Sequence, residues 1–341
     1  MPRGILISGT NWIGDAVMSV AAIRELRRLF PDQALTLLAK RWVSGLFEGQ
    51  GLVDAVVHPE DYPGTRLPGR LRGFSHAVLF RNSFKAALQV WTARIPRRIG
   101  YARDFRSWML TCAARPRIRS LGRHQTYYYL DLLFQCGLSE RNYLEEDDFQ
   151  PDVRLEARPE WVEQARALLR QEGIDEGERL AVIHAGAAYG AAKRWFPERY
   201  GQLAGRLIRE EDARVVLVGS QSERPLAEQV QAASPEPLCL LNGRTSLGQL
   251  MGLISLSACF ISNDSGPMHL AAALGVPQVA LFGSTDLDAT GPFSPQARAI
   301  YKKVECSPCL LRECPIDLRC FAGISVDEVL QAARRQMRGH G

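Results

Sequence analysis

Short apolar runs alternate with amphipathic stretches along the whole chain. Ile5 to Ser8 reads as a buried strand, and Val17, Val20, Ala21, Ile23 and Leu26 then keep helical spacing, which sets Gly14 and Asp15 near a helix start. The same reading predicts strands at 34–39, 55–58, 76–80 and 97–101, with helices at 43–48 and 83–93 and another around 126–136. Pro59 to Gly73 reads as a loop. From Asn142 to Arg158 the chain turns acidic and irregular, with Pro151 and Pro159 close by, and this is the expected domain junction. Beyond it, helices are predicted at 159–171, 197–210, 225–233 and 247–257, interleaved with strands at 180–184, 214–219 and 239–242. The stretch CFISNDSGPMHLAAALGVPQVALFGS closes the pattern as strand (259–262), loop, helix (about 266–274) and strand (278–282). Strands alternating with helices at this spacing predict an α/β chain with parallel sheets covered on both faces, in two domains facing a cleft.

Composition adds limits. With 46% hydrophobic and 23% charged residues, 341 residues suffice for two soluble domains with their own cores. No apolar run reaches the roughly 18 residues needed to cross a bilayer, and MPRGILISGT is a poor signal peptide, so a cytoplasmic protein is expected. The net charge of +5 is unevenly spread: Arg94 to Arg123 holds nine arginines and a single acid, Asp104. That density suits an anionic partner, whether nucleic acid, phosphorylated glycolipid or membrane surface, although a solvated face would read alike. Nucleic acid is disfavoured because the basic run lacks aromatics interleaved at a stacking period.

Eight cysteines in a cytosolic chain argue against a disulfide framework, and Cys112, Cys136, Cys239 and Cys259 read as small core residues. Cys306, Cys309, Cys314 and Cys320 form C-x2-C-x4-C-x5-C, which could hold a zinc ion or an iron–sulfur cluster. Unligated thiols in a surface loop, or disulfides formed after isolation, are the alternatives.

Two loops carry anion-binding chemistry. Asn263, Asp264, Ser265 and Gly266 stand where backbone N–H groups open a helix, a site for phosphate or for ordinary capping by Asp264 or Ser265. Ala185 to Arg194, rich in Gly and Ala, ends in Lys193 and Arg194, so backbone could approach a phosphate with a cation beside it. Neither the Walker ending nor G-x-G-x-x-G is present. Glu223 stands a few residues past a strand, where a carboxylate can accept from ribose hydroxyls or simply favour a helix start. His269 has the spacing to face the same site or the core. Asp15 is either a carboxylate stabilised by the helix dipole or a general base.

Together NWIGD, NSFKAAL, HAGAAYGAAKRWF, VLVGSQSE, SNDSGPMHLAAALGVPQVALFGST and TGPFSP resemble the heptosyltransferases of glycosyltransferase family 9, most of all their type II branch. The resemblance implies a GT-B fold: an acceptor domain at 1–156, a sugar-nucleotide domain at 157–322, and a C-terminal helix at 323–341 crossing back to the first. It implies inverting, metal-independent transfer of L-glycero-D-manno-heptose from ADP-heptose to the first heptose of the lipopolysaccharide inner core, on a Kdo-lipid A acceptor at the inner face of the inner membrane. By the same resemblance Asp15 matches the proposed base and Lys193 the lysine on the donor diphosphate. Glu223 matches the ribose acid, Asp264 the acid on the heptose, and Ser265 with Gly266 the phosphate-facing loop. Ala187 and Ala188 replace threonines of some members, which removes two hydroxyl contacts. Asn82, Lys85, Arg98 and Arg106 are acceptor candidates in the arginine-dense domain. Rival readings are a family 9 transferase of type I or III using another sugar or acceptor, a nucleotide-sugar epimerase, and a non-catalytic module that grips an anionic glycolipid.

Overall fold

Six parallel strands build the sheet of the first unit, Met1–Val153, in the order β3-β2-β1-β4-β5-β6. They are β1 (Ile5–Ser8), β2 (Leu35–Leu38), β3 (Ala55–Val57), β4 (His76–Leu79), β5 (Arg97–Tyr101) and β6 (Cys112–Ala114). A computed structural model describes residues 4–64, 66–118, 121–146 and 148–339. All four residues of β1 are buried, as expected of a central strand covered on both faces. The chain runs outward from β1 to β2 and β3, then returns to β4 on the other side. The order therefore reverses beside β1, and in open α/β sheets ligands bind outside the strand ends at such a point.

The second unit, Arg154–Gly341, repeats the plan with β7 (Arg179–His184), β8 (Ala213–Leu217), β9 (Cys239–Leu240), β10 (Cys259–Asn263), β11 (Gln278–Phe282) and β12 (Ala297–Tyr301). Their order is β12-β11-β10-β7-β8-β9, so the reversal falls between β7 and β10. One face of this sheet, carrying Ala181, Ile183, Val215, Leu217 and Ile261, packs with Trp195, Tyr200, Leu203 and Leu207. The C-terminal helix Val326–Arg338 adds Val329, Leu330 and Ala333 to that core and packs against helix Pro197–Glu211. Alternate residues point the other way, where Ala280 and Phe282 meet Met268.

Five details depart from the sequence expectation. β6 and β12 are additional strands, the first only three residues long. The first helix is broken into Ile13–Met18 and Val20–Leu29, and the stretch expected as loop contains helix Arg66–Arg70. Helix 43–48 becomes a short helix, Arg41–Ser44, and a 3-10 turn, Gly45–Phe47. The largest correction concerns Cys112 and Cys136, which are joined by a disulfide rather than being separate core thiols. Pairing of β6 with β5 brings Cys112 to the end of helix Thr126–Gln135, a proximity invisible while β6 was unassigned. Cys259 does lie in the core, its thiol pushed up to about 12 by burial. Cys239 is only half-buried, and burial together with the nearby Glu172 charge raises it to about 11.

Candidate active site

At the switch point of the second sheet, the loops after β7 and β10 meet. Asn263 ends β10, fully buried, and ties them together: its Nδ2 donates to Ala185 O at 2.7 Å, and its Oδ1 accepts from Trp195 N at 3.0 Å and Tyr200 OH at 2.9 Å. With that frame fixed, Lys193 Nζ donates to Asp264 Oδ2 at 2.6 Å, with side chains 16% and 5% exposed. The Tyr189 ring stands 5.1 Å from Nζ and 5.3 Å from the Arg312 guanidinium carbon. Two cations therefore share one aromatic ring, and one of them is neutralised by Asp264.

Neither Asp264 nor Ser265 caps the following helix, Gly266–Ala273, with its side chain. Ordinary capping is thus not what these residues do, and the helix start is left to its backbone donors. Ser265 Oγ lies 3.1 Å from His184 Nδ1 instead, and His184 Nε2 lies 3.6 Å from Glu223 Oε2. Glu223 Oε2 also accepts from Ser220 N and Oγ, both at 2.8 Å, so the carboxylate closes a capping box while facing the imidazole. Burial raises the Glu223 carboxyl, but the His184 bond and charge and the two Ser220 bonds outweigh it and hold it down to about 2. Gly186 makes this approach possible: a Cβ there would sit 1.9 Å from Glu223 Oε1. Asn242 lines the same indentation with a buried Oδ1 that has no partner among the described residues. His269 is buried one turn into the helix.

In the first unit, Asp15 lies in the first turn of helix Ile13–Met18, just after β1. Tyr129 OH donates to its Oδ1 at 3.4 Å. Tyr129 is buried in its own helix, and desolvation, with the Asp15 charge second, pushes its phenol well above the usual range. The phenol thus remains a donor that orients the carboxylate.

The arginine-rich run is corrected in part. Arg106 is fully buried and donates to Arg81 O (2.5 Å), Tyr101 O (3.1 Å), Ser83 O (3.5 Å) and Asn82 Oδ1 (2.8 Å). Asn82 Nδ2 is in turn bound to Tyr128 OH at 2.6 Å. Arg98 donates to Ile95 O and Met109 O at 2.5 and 2.6 Å. Arg97 and Arg123 likewise reach main-chain carbonyls, and Arg117 pairs with the fully buried Asp131. These arginines brace loops, because each main-chain carbonyl left without a strand partner needs a donor. Among the described residues of the region, Lys85, Arg94, Arg97, Arg103 and Arg115 are exposed.

The four cysteines of the C-terminal motif differ in their surroundings. Cys306 is exposed, Cys309 and Cys314 are partly covered, and Cys320 is buried in the core beside Phe321. Among the described residues no three His, Cys, Asp or Glu side chains are gathered so as to hold a metal ion.

The profile of glycosyltransferase family 9 (heptosyltransferase) matches residues 67–319. The chain belongs to glycosyltransferase family 9. This family 9 chain is 30% identical over 312 residues to lipooligosaccharide heptosyltransferase 2 of Haemophilus influenzae, covering 87% of this chain and 88% of the relative. It is 30% identical over 313 residues to lipopolysaccharide heptosyltransferase 2 of Escherichia coli, covering 87% of each. The solved structure of E. coli ADP-heptose LPS heptosyltransferase II superposes with a TM-score of 0.84 at 26% identity, over 98% of both chains. The GT-B expectation is met in these terms: two parallel six-stranded α/β units and a close match to a heptosyltransferase structure.

His184, Tyr129, Tyr189 and Arg312 were not singled out from the sequence as site residues, and Asn263 was placed in the loop without its role in tying the loops together. His184 could have been, since a polar side chain ending a predicted central strand stands at the ligand-binding edge. Tyr129 lies more than a hundred residues from Asp15 and carries no such signal.

Proposed function

We propose that the chain transfers L-glycero-D-manno-heptose from ADP-heptose to the first heptose of the lipopolysaccharide inner core, with inversion and without a metal ion. The similarity to type 2 heptosyltransferases supports the substrate class. The observation that carries the chemistry is the Lys193–Asp264 pair beside the side-chain-uncapped start of helix Gly266–Ala273.

In this reading the donor diphosphate takes up the backbone donors at Ser265 and Gly266 and the charge of Lys193. As the bond from the anomeric carbon to phosphate breaks, negative charge grows on the departing ADP, and these groups stabilise it more than the ground state. Asp264 hands part of its hold on Lys193 to the phosphate and turns its carboxylate to the heptose hydroxyls. Glu223, kept ionised by His184 and Ser220, accepts from the ribose hydroxyls. The acceptor hydroxyl attacks the anomeric carbon from the side opposite the phosphate, which inverts the centre. Asp15, oriented by Tyr129, takes the hydroxyl proton. Of the acceptor candidates Lys85 remains exposed to meet an anionic core, while Asn82 is positioned by Arg106. The acceptor is lipid-borne, so the enzyme works at the cytoplasmic surface of a membrane. No helix among the described residues is long and apolar enough to cross one.

The test is ADP release from ADP-heptose with and without a heptose-bearing Kdo-lipid A acceptor, for wild type and Asp15→Asn. Acceptor-dependent release that the substitution abolishes, with ADP-heptose affinity retained, supports the assignment. Equal release by both proteins removes Asp15 from the mechanism.

A further inference from the structure

One surface of the first unit is apolar where solvent should favour polar groups. Helix Phe84–Thr92 buries Ala86, Ala87 and Val90 and turns Phe84, Leu88 and Trp91 outward, so its solvent side carries an apolar stripe of its own. Trp108 continues the stripe, its ring 5.4 Å from that of Trp91 and edge-on to it, with the two side chains 63% and 42% exposed. Phe105 is 95% exposed.

The segment that presents Phe105 and Trp108 is held in place at a cost. Asp104 and Phe105 both have φ of +53°, a conformation that a bulky side chain rarely adopts. The buried Arg106 between the two aromatics fixes the segment to Arg81 O and Asn82 Oδ1, beside the start of the helix. Strain and a buried cation are thus combined to hold a phenyl ring in water. A chain selected only for stability would place a polar or glycine residue there.

The surrounding charge selects the partner. From Arg81 to Ile118 the sequence contains one acid, Asp104, against eight arginines and Lys85. Lys85 flanks the apolar stripe, Arg94 follows Trp91 by less than one turn, and Arg103 precedes Phe105; all three are exposed. Aromatic rings flanked by exposed cations match the interfacial layer of a bilayer, where rings enter the acyl boundary and cations meet acidic head groups.

We propose that this face seats the first unit on an anionic bilayer, with Phe105 and Trp108 inserted and Lys85, Arg94 and Arg103 among the head groups. Its purpose rests on the lipid-borne acceptor of the proposed reaction, but vesicle binding is read without donor or acceptor, so either idea can fail while the other stands.

The experiment is co-sedimentation of the full chain with vesicles of phosphatidylcholine alone or mixed with phosphatidylglycerol, with sedimentation velocity of the same proteins in the absence of lipid. Wild type is expected to bind the phosphatidylglycerol vesicles, more weakly as salt rises, and to bind phosphatidylcholine poorly. Phe105→Gly suits the positive φ and therefore keeps or raises the thermal midpoint, yet it and Trp108→Ser are each expected to weaken vesicle binding by roughly tenfold. Absence of binding to phosphatidylglycerol vesicles at low salt, or binding by both variants as tight as that of wild type, overturns the proposal. So does a wild-type dimer that Phe105→Gly disperses, since a second copy would then be what covers the face.

Discussion

Removing the charge of Lys193 by Lys193→Met separates its structural role from its proposed chemical one. At 2.6 Å and an effective dielectric constant of about 20, the attraction to Asp264 is about 6 kcal/mol. Both side chains are largely buried, so desolvation of the two ions offsets most of that gain. The intact pair is therefore worth little net, whereas Lys193→Met strands the Asp264 carboxylate and should cost about 3 to 5 kcal/mol. The double variant Lys193→Met/Asp264→Asn removes both charges and should regain at least half of that loss. Activity should not follow stability, because both variants lack the cation on the departing ADP and should lose about 100- to 1000-fold in kcat. Urea unfolding of the four corners of the cycle gives the coupling, and ADP release gives the rates. Refutation takes two forms. If Lys193→Met unfolds at the same urea concentration as wild type, the buried pair is absent in solution. If it turns over within a few-fold of wild type, Lys193 does not stabilise the leaving group.

Arg106→Met leaves the Arg81 carbonyl and Asn82 Oδ1 without their donor and should destabilise the first unit by about 2 to 4 kcal/mol in urea unfolding, with Arg106→Lys failing to restore it. Opening the Cys112–Cys136 disulfide, with its sequence separation of 24, should cost about 3 kcal/mol, read as a reductant-dependent shift of the unfolding midpoint that Cys112→Ser lacks. The folded-state value of about 2 for Glu223 lies below its ordinary 4.5, so its contribution is present above pH 4.5 and is lost as pH falls toward 2. The stability difference between wild type and Glu223→Gln should accordingly be level near neutrality and shrink through that acid window. Tyr129→Phe removes the donor to Asp15 and should lower kcat several-fold with little change in KM for ADP-heptose.

The sheets were legible because buried parallel strands carry continuous apolar runs, such as Ile5 to Ile7 and Val279 to Phe282, and these stand out between amphipathic helices. β6 was not legible: three residues, two of them alanine, carry no period. The Cys112–Cys136 bond went with it, since a cysteine's apolar neighbours say nothing about a second cysteine 24 residues away. In the site, Lys193, Asp264, Ser265 and Glu223 were all found as loop residues following strands, and the structure brings them to one switch point. Their pairings were not foreseen, because spacing along a chain does not reveal that Asp264 meets Lys193 while Ser265 meets His184. Arg98 and Arg106 were misread for the opposite reason. Density of positive charge in a sequence does not distinguish a guanidinium in water from one bound to carbonyls, and only the fold shows which carbonyls needed a donor.

The central claim is that a heptosyl group moves from ADP-heptose to a heptose already present on the inner core. The most direct measurement is the intact mass of purified acceptors after incubation with the enzyme and ADP-heptose, comparing Kdo-lipid A with and without its first heptose. The account predicts a gain of one heptosyl residue on the heptose-bearing acceptor and none on the other. Addition to the heptose-free acceptor, or an unchanged mass in both while ADP-heptose is bound, would contradict it.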